Sequence, residues 1–394
     1  MKTVQDNSKS RILDTIRHHG RIARIDLAEI TDISPATVTT ITAEMIRQGL
    51  ILEVAREEEN EQARRGRPRV DLMLRAEAHL VAGVKLAENS VSVVLMDFVG
   101  KVVHFHSLAR DETCATADLI STQIKQVIDD ALEETDFSYA DLSAIGIGVS
   151  GIVDATRGQI YWSPFIVEKN FGLGAFLSEK LGLPVFLDNN ANLVAMAEHY
   201  LGDAHDIANF IVVTIDTGVG MGIFLNNRIY RGSRGCGAEF GHTKVELDGA
   251  LCRCGQRGCL EAYVADYALL REASFNTSLA NSGNVQDLLT AARSGDPSAK
   301  NIVDRSSRVF AMGLANLINL FDPERIILSG ERLAFDHLYA ANINDMIQSS
   351  ILQINAPIPE ITLHKWDDLM WERGAATFAL IGISEISLHA KTSP

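Results

Sequence analysis

The segment LCRCGQRGCLEAY, from Leu251 to Tyr263, holds three of the chain's five cysteines, Cys252, Cys254 and Cys259. Thiolates are soft metal ligands, and His242 lies ten residues before the first of them. One histidine and three cysteines make the closed tetrahedral set of a structural Zn2+ site. Four protein ligands leave no open position for a water, so the expected role is structural and not catalytic. A Cys-x-Cys pair is poorly spaced for an internal disulfide. The competing reading is a group of free thiols, buried or reactive. Cys114 and Cys236 are left over and need no role.

Two glycine-rich segments could cradle a ligand. VSGIVD places Ser150 and Gly151 after a strand, and DTGVGMG places Gly218, Gly220 and Gly222 in a strand-to-strand turn. Such turns expose backbone N–H groups that hold an anion or a sugar. They are equally compatible with ordinary turns.

A third group of residues addresses nucleic acid. The pattern SKSRILDTIRHHG predicts a first helix, with Ile12, Leu13 and Ile16 on one face and Gly20 as its stop. ARIDLAEIT predicts a short second helix with Leu27, Ala28 and Ile30 apolar. In the third, Ser34 is a suitable cap, Pro35 suits the first turn, and Val38, Ile41, Met45 and Ile46 form the buried stripe. LILEVA follows as a strand. This is the plan of a winged helix-turn-helix. The outer face of its third helix would carry Ala36, Thr37, Thr39, Thr40 and Thr42, side chains short enough to approach base edges and thymine methyls in a major groove. The alternative is a three-helix bundle with a plain polar face. In ARRGRPRVDLML, Arg64, Arg65, Arg67 and Arg69 surround a Gly-Arg-Pro turn. Such a turn suits phosphates or a minor groove, or else is an interdomain linker. The two features together favour DNA binding.

The elements behind these groups fall into two parts. Residues 1–75 carry 13 basic and 12 acidic side chains, whereas the remainder carries 23 and 39. The net charge of -15 argues against indiscriminate nucleic-acid binding by the whole molecule. From His79 the pattern becomes a strand meander, then a helix from about Thr116 to Leu132, then the strand AIGIGVSG. A second meander starts at ANFIVVTID, with a tight turn at Asn226–Asn227. The repeat predicts two similar α/β lobes with a cleft between them. Domains are therefore expected at 1–75 and 76–394. A composition of 46% hydrophobic and 22% charged residues fits a soluble globular protein. No apolar run is long enough to span a bilayer, and MKTVQDNSKS has no apolar core of a signal peptide. The expected location is the cytoplasm, without membrane insertion.

GAEFGHTKV at 237–245 followed by CRCGQRGCLEAY at 252–263 resembles the signature of the ROK family (repressors, open reading frames and sugar kinases). VSGIVD, NNANLVAMAE, DTGVGMG and NLINLFDPERIILSG resemble further segments, so the likeness runs over essentially the whole chain. The N-terminal winged helix with its GRP turn is similar to the family's transcriptional-regulator branch. The resemblance implies an actin-like, hexokinase-like two-lobed α/β domain behind the DNA-binding domain, and it favours zinc at His242, Cys252, Cys254 and Cys259. It also implies that Glu239, His242 and Glu261 hydrogen-bond sugar hydroxyls, together with Gly151, Asn189 and Asn190. Each carboxylate can accept two hydroxyl donors, and His242 can ligate through one nitrogen and donate through the other. Without the resemblance, Glu239 and Glu261 could equally form salt bridges near the metal loop.

Two departures from the family pattern bear on catalysis. A kinase of this family has an Asp-x-Gly-Gly-Thr phosphate loop near the first strand; here VAGVKLAENSVSVV places Lys85 and Glu88 at that turn. The family's Asn-Asp-Ala-Asn is Asn189–Asn192 here, with Asn190 where the catalytic Asp belongs. An amide cannot take the hydroxyl proton, yet it still hydrogen-bonds. Asp188, two positions earlier, is the remaining carboxylate that a shifted loop would use. The expectation is a sugar-responsive transcriptional regulator, a repressor without enzyme activity, binding operator DNA and a sugar or sugar phosphate as a homodimer or higher oligomer. The rivals are an active sugar kinase and a regulator controlled by docking of a sugar-transport protein.

Overall fold

The computed structural model describes residues 4–55, 70–111, 114–215, 217–275, 284–330, 343–352, 357–363 and 369–389, with side chains from Ser8 onward. The chain divides into two compact units, Met1–Asp206 with Leu369–Pro394, and Ile207–Asp368.

The first unit opens with α1 (Val4–His19), the short strand β1 (Ile22–Ala23), α2 (Arg24–Thr31) and α3 (Pro35–Arg47). Ser34 caps α3, its Oγ accepting the Thr37 N–H at 3.2 Å, and Pro35 takes the first turn. Ile12, Leu13, Ile16, Leu27, Val38, Ile41 and Met45 are buried together. Along α2, Leu27 and Thr31, one turn apart, face inward, and Ile30 is 52% exposed. One expectation needs correction. Thr42, expected on the outer face, is fully buried. It shares the 38, 41, 42, 45 stripe, and its hydroxyl accepts from Arg24 Nε at 3.0 Å.

β2 (Ile51–Ala55) pairs antiparallel with β3 (Val70–Leu74), and β1 flanks β3 on its other side. The VDLML segment is thus a wing strand. Arg64, Arg65, Arg67 and Arg69 fall in the 56–69 connection, outside the described residues.

The first lobe follows. β4 (Leu80–Leu86), β5 (Ser90–Asp97) and β6 (Val102–Ala109) form an antiparallel meander. α4 (Ala117–Glu133), capped by Thr116, leads to β7 (Leu142–Val149), which lies parallel to β4. The hairpin β8 (Ile152–Asp154) and β9 (Gln159–Trp162) precedes α5 (Leu173–Leu181), β10 (Val185–Asn189) and α6 (Asn190–Leu201). The sheet order is β10-β7-β4-β5-β6.

The second unit repeats this plan. β11 (Phe210–Ile215), β12 (Val219–Leu225) and β13 (Arg228–Tyr230) form the meander, with Asn226 and Asn227 at φ 54° and 59° in its tight turn. Gly220 and Gly222 pair with Thr214 and Val212 inside β12, so of the three glycines expected in the turn only Gly218 lies there. The cysteine loop leads to α7 (Glu261–Val264), α8 (Asp266–Ser274), α9 (Val285–Arg293) and α10 (Pro297–Phe321). Then come β14 (Arg325–Ser329), α11 (Ile343–Ser350) and β15 (Glu360–Leu363), giving the order β13-β12-β11-β14-β15. In both lobes the third, second and first strands are antiparallel and the fourth and fifth follow in parallel. This repeated order is the actin-like plan.

α12 (Met370–His389) returns to the first unit and packs on its sheet and on α6. The approach is close: a Cβ at Gly146 would lie 1.8 Å from the Ala375 carbonyl oxygen. Val94, Phe98, Ala376, Leu380 and Ile383 join one apolar cluster with Ile12, Leu13, Ile16 and Leu72. The winged helix is therefore rooted in the lobe. Lys9 Nζ donates to the Leu388 carbonyl at 3.1 Å and Gln48 Nε2 to that of Ser387 at 3.3 Å. Among the described residues no helix is long and apolar enough to cross a membrane.

Candidate functional site

The second unit brings His242, Cys252, Cys254 and Cys259 together, with one donor atom from each lying within 4.8 Å of the others. Cys252 Sγ is 3.7 Å from His242 Nδ1, and Cys254 Sγ is 3.8 Å from Cys259 Sγ. Tetrahedral zinc with ordinary bond lengths places sulfurs about 3.8 Å apart and sulfur and nitrogen about 3.6 Å apart. The donor set therefore fits the ion. A backbone knuckle holds the cysteines: Cys252 N–H donates to Gln256 O at 2.8 Å, and Lys244 and Cys259 bridge as adjacent strands. Lys244 Nζ also donates to Cys259 Sγ at 2.9 Å, supplying a positive charge beside thiolates whose sum exceeds that of a dication.

Glu261 begins α7 beside this loop and is buried. Its Oε2 accepts the Val219 N–H at 3.2 Å; its Oε1 accepts the Tyr267 hydroxyl at 3.3 Å and the Cys252 thiol at 3.4 Å. Hydrogen bonds through Glu261 thus link the start of β12 to the cysteine loop. Glu239 precedes the single turn Phe240–His242, following Ala238 at φ 68°. Desolvation by the surrounding loop and the nearby Glu261 charge push its carboxyl up to about 7, while its side chain still reaches solvent, which screens part of that effect. His242 turns Nδ1 toward the cysteines, leaving Nε2 for another partner. Tyr267 and Lys244 escaped sequence reasoning, because nothing in their spacing singles them out.

In the first unit, Gly151, Asn189 and Asn190 converge. Gly151 has φ 127°, and a Cβ there would lie 2.2 Å from the Trp162 carbonyl oxygen, so only glycine fits. Its own carbonyl accepts Asn189 Nδ2 at 2.7 Å. Asn189 Oδ1 caps α6 by accepting the Ala191 N–H at 2.9 Å. Asn190 Nδ2 donates to Ser150 Oγ at 3.1 Å, and its buried Oδ1 makes no hydrogen bond. Asp188 is fully buried; its Oδ1 accepts Asn189 N–H at 2.7 Å and Asn192 Nδ2 at 3.0 Å. A carboxylate held in this way is a structural anchor and is badly placed to collect a proton from a sugar hydroxyl. At the β4–β5 turn, Arg110 is buried and donates to the Ala87 carbonyl at 2.7 Å, while Lys85 Nζ lies 5.6 Å from the centre of the Trp371 ring.

On α3, Ser34, Ala36, Thr39 and Thr40 are exposed and Thr37 is half-buried. Thr39 and Thr40 each return a hydroxyl proton to the helix, to Pro35 O at 2.8 Å and Ala36 O at 3.0 Å. Both side chains are exposed, and each hydroxyl keeps acceptor lone pairs.

The family model for the ROK family matches residues 81–380, and one described as winged helix-turn-helix DNA-binding matches residues 5–51. The chain is 29% identical over 360 residues to the DNA-binding transcriptional dual regulator NagC of Escherichia coli K12, covering 89% of this chain and 86% of that one. It is 27% identical over 354 residues to the xylose repressor of Caldicellulosiruptor bescii, covering 86% and 87%. Among solved structures, a ROK family transcriptional regulator homologous to the E. coli MLC protein aligns with TM-score 0.81 at 26% identity, covering 98% of both chains. A ROK family glucokinase from Streptomyces griseus, in complex with glucose and AMPPNP, aligns with TM-score 0.65 at 30% identity, covering 76% of this chain and 99% of that one.

Proposed function

The chain belongs to the ROK family, and we propose that it is a sugar-responsive transcriptional repressor that has no kinase activity. The observation that carries this reading is Asn190. It stands at the position of the family's catalytic base, and the neighbouring carboxylate, Asp188, is buried and already hydrogen-bonded. An amide there keeps hydrogen-bonding capacity and lacks the proton acceptor that phosphoryl transfer to a hydroxyl requires. Relatives that match along most of the chain are named as repressors or regulators.

The effector belongs to the class of sugars or sugar phosphates. The candidate hydroxyl-binding groups are Glu239, His242 and Glu261 and, as a separate set, Gly151, Asn189 and Asn190. His242, Cys252, Cys254 and Cys259 would hold a structural Zn2+. The ion would fix the loop that carries Glu239 and Glu261, with no position left for water or substrate. The protein acts as a homodimer or higher oligomer, because a helix-turn-helix gains affinity by pairing half-sites. A sugar-dependent coupling of about 1–3 kcal/mol between the sensing domain and DNA is enough for a useful switch.

The test is a thermal-shift screen of the purified chain against a sugar panel, followed by operator binding with each sugar that raises the melting temperature. A sugar that stabilises the protein and releases it from DNA is the expected result. Sugar-dependent release of nucleoside diphosphate that copurifies with the folded chain would overturn the reading.

A further inference from the structure

A second cluster of metal-ligating side chains lies in the first lobe, remote in sequence from the cysteine loop. β6 carries His104 and His106 two residues apart, so the alternation of a strand puts both on the face turned to α4. Val103 and Phe105, on the opposite face, are exposed. Asp130 of α4 and Glu134, which caps the C-terminus of that helix, lie four apart and hence on one side, and they meet the two rings.

The distances fit ion pairs and equally fit ligands around an ion. Glu134 Oε2 is 3.1 Å from His104 Nε2, and Glu134 Oε1 is 3.2 Å from His106 Nδ1. Asp130 Oδ2 is 3.9 Å from His106 Nε2. One donor atom each from His104, His106 and Glu134 lies within 4.8 Å of the others. Ligands about 2.0–2.1 Å from a tetrahedral zinc are separated by about 3.3 Å. His104 Nε2 is buried and makes no hydrogen bond despite its 3.1 Å approach to the carboxylate. The two atoms are close without being aimed at each other, as donors sharing a third partner are. The electrostatics favour a cation. The negative end of the α4 dipole falls here, and Asp129, Asp130, Glu133 and Glu134 crowd the last turn, with Lys125 already paired to Asp129.

We propose that His104, His106 and Glu134, with Asp130 behind them, form a second metal site that takes a divalent ion of the zinc class. Two imidazoles and a carboxylate suit zinc, cobalt or nickel, and lack the oxygen-rich shell that calcium or magnesium requires. Three protein ligands leave a position for water, so this ion is exchangeable, unlike one enclosed by His242 and three cysteines. It would clip the edge strand β6 to the end of α4.

Zinc per chain is measured by elemental analysis on the full-length protein after zinc loading and desalting. Two equivalents are expected. Cys254→Ser should lose one, and His106→Ala or Glu134→Gln should lose the other. Reloading with Co2+ separates the sites, because thiolate-to-cobalt absorption arises only at the cysteine loop. Glu134→Gln should keep that absorption in full while binding one equivalent fewer, which also certifies that the variant is folded. The proposal fails if the wild type holds a single equivalent that disappears in Cys254→Ser. It fails equally if a second equivalent survives both His106→Ala and Glu134→Gln, which would place the ion elsewhere, with His205→Ala locating it at the other histidine group, His18, His205 and Asp206.

Discussion

His199 should make the first unit sensitive to acid. It lies near the end of α6, its ring parallel to that of His205 with centroids 5.9 Å apart. His205 in turn stacks on His18 of α1 at 3.3 Å, and Asp206 Oδ1 sits 3.1 Å from His205 Nδ1. Burial first, and then the adjacent His205, push the His199 imidazole down from 6.5 to about 4. The folded value is depressed, so the unfolded chain takes up a proton first as pH falls. The stability tied to neutral His199 is complete above the unfolded value of about 6.5 and drains away as pH drops toward 4. The full shift corresponds to about 3.4 kcal/mol, of which about 2 kcal/mol is lost by pH 5. His18 is lowered in the same direction, chiefly by burial, but it is too exposed to add much. Denaturant midpoints of the wild type and His199→Gln between pH 7.5 and pH 5 isolate the effect. Effects of acid elsewhere in the chain are common to both proteins, so the difference between the curves belongs to His199. The variant should be flatter by about 2 kcal/mol over that range. Parallel curves would refute the assignment.

Other substitutions probe the remaining parts. Thr39→Ala should weaken operator binding by about 1–3 kcal/mol while sparing random duplex, measured as paired affinities. Arg65→Ala with Arg67→Ala should weaken both duplexes alike and lower the salt slope by roughly one unit per lost phosphate contact; an unchanged slope would make the segment a linker. Cys254→Ser should remove the cysteine-loop zinc and blunt the response to whichever sugar stabilises the wild type, read by elemental analysis and by sugar-dependent melting. Asn190→Asp should leave nucleoside diphosphate release at background, since Lys85, which lies within β4 rather than in the turn as expected, and Glu88 in the turn still stand in place of a phosphate loop; turnover in this variant would show that the missing base was the sole defect.

Local signals were legible in the sequence where one element decides them. The Ser34 cap, the Gly20 stop and the Asn226–Asn227 turn each follow from the chemistry of one or two residues. The spacing of the cysteines marked out their loop for the same reason. Features that depend on partners distant in sequence were not legible. Thr42 looks like an outward residue until Arg24 is brought against it. The partner strand of β2 has no local signal that bounds it, and only the pairing itself marks out Val70–Leu74. Gly220 and Gly222 look like turn glycines, yet β11 holds them in a ladder. The surroundings of Asp188, buried and accepting from Asn189 and Asn192, are likewise set by the fold and not by its spacing.

α6 connects Asn189 and Asn190 to the helices of the winged helix-turn-helix segment. The helix starts at Asn190, whose neighbour Asn189 caps it, and runs for 12 residues. At the usual rise that is about 18 Å. Residues Ala191 through Glu198 are buried, so the helix is gripped along its length and is poorly able to bend. Its far end lies against α1, where His199, His205 and His18 stack in sequence. α12 packs on the same helix and also carries the carbonyls that receive Lys9 and Gln48 of the winged helix. A displacement of the Asn190 end therefore has no slack loop in which to dissipate before it meets α1.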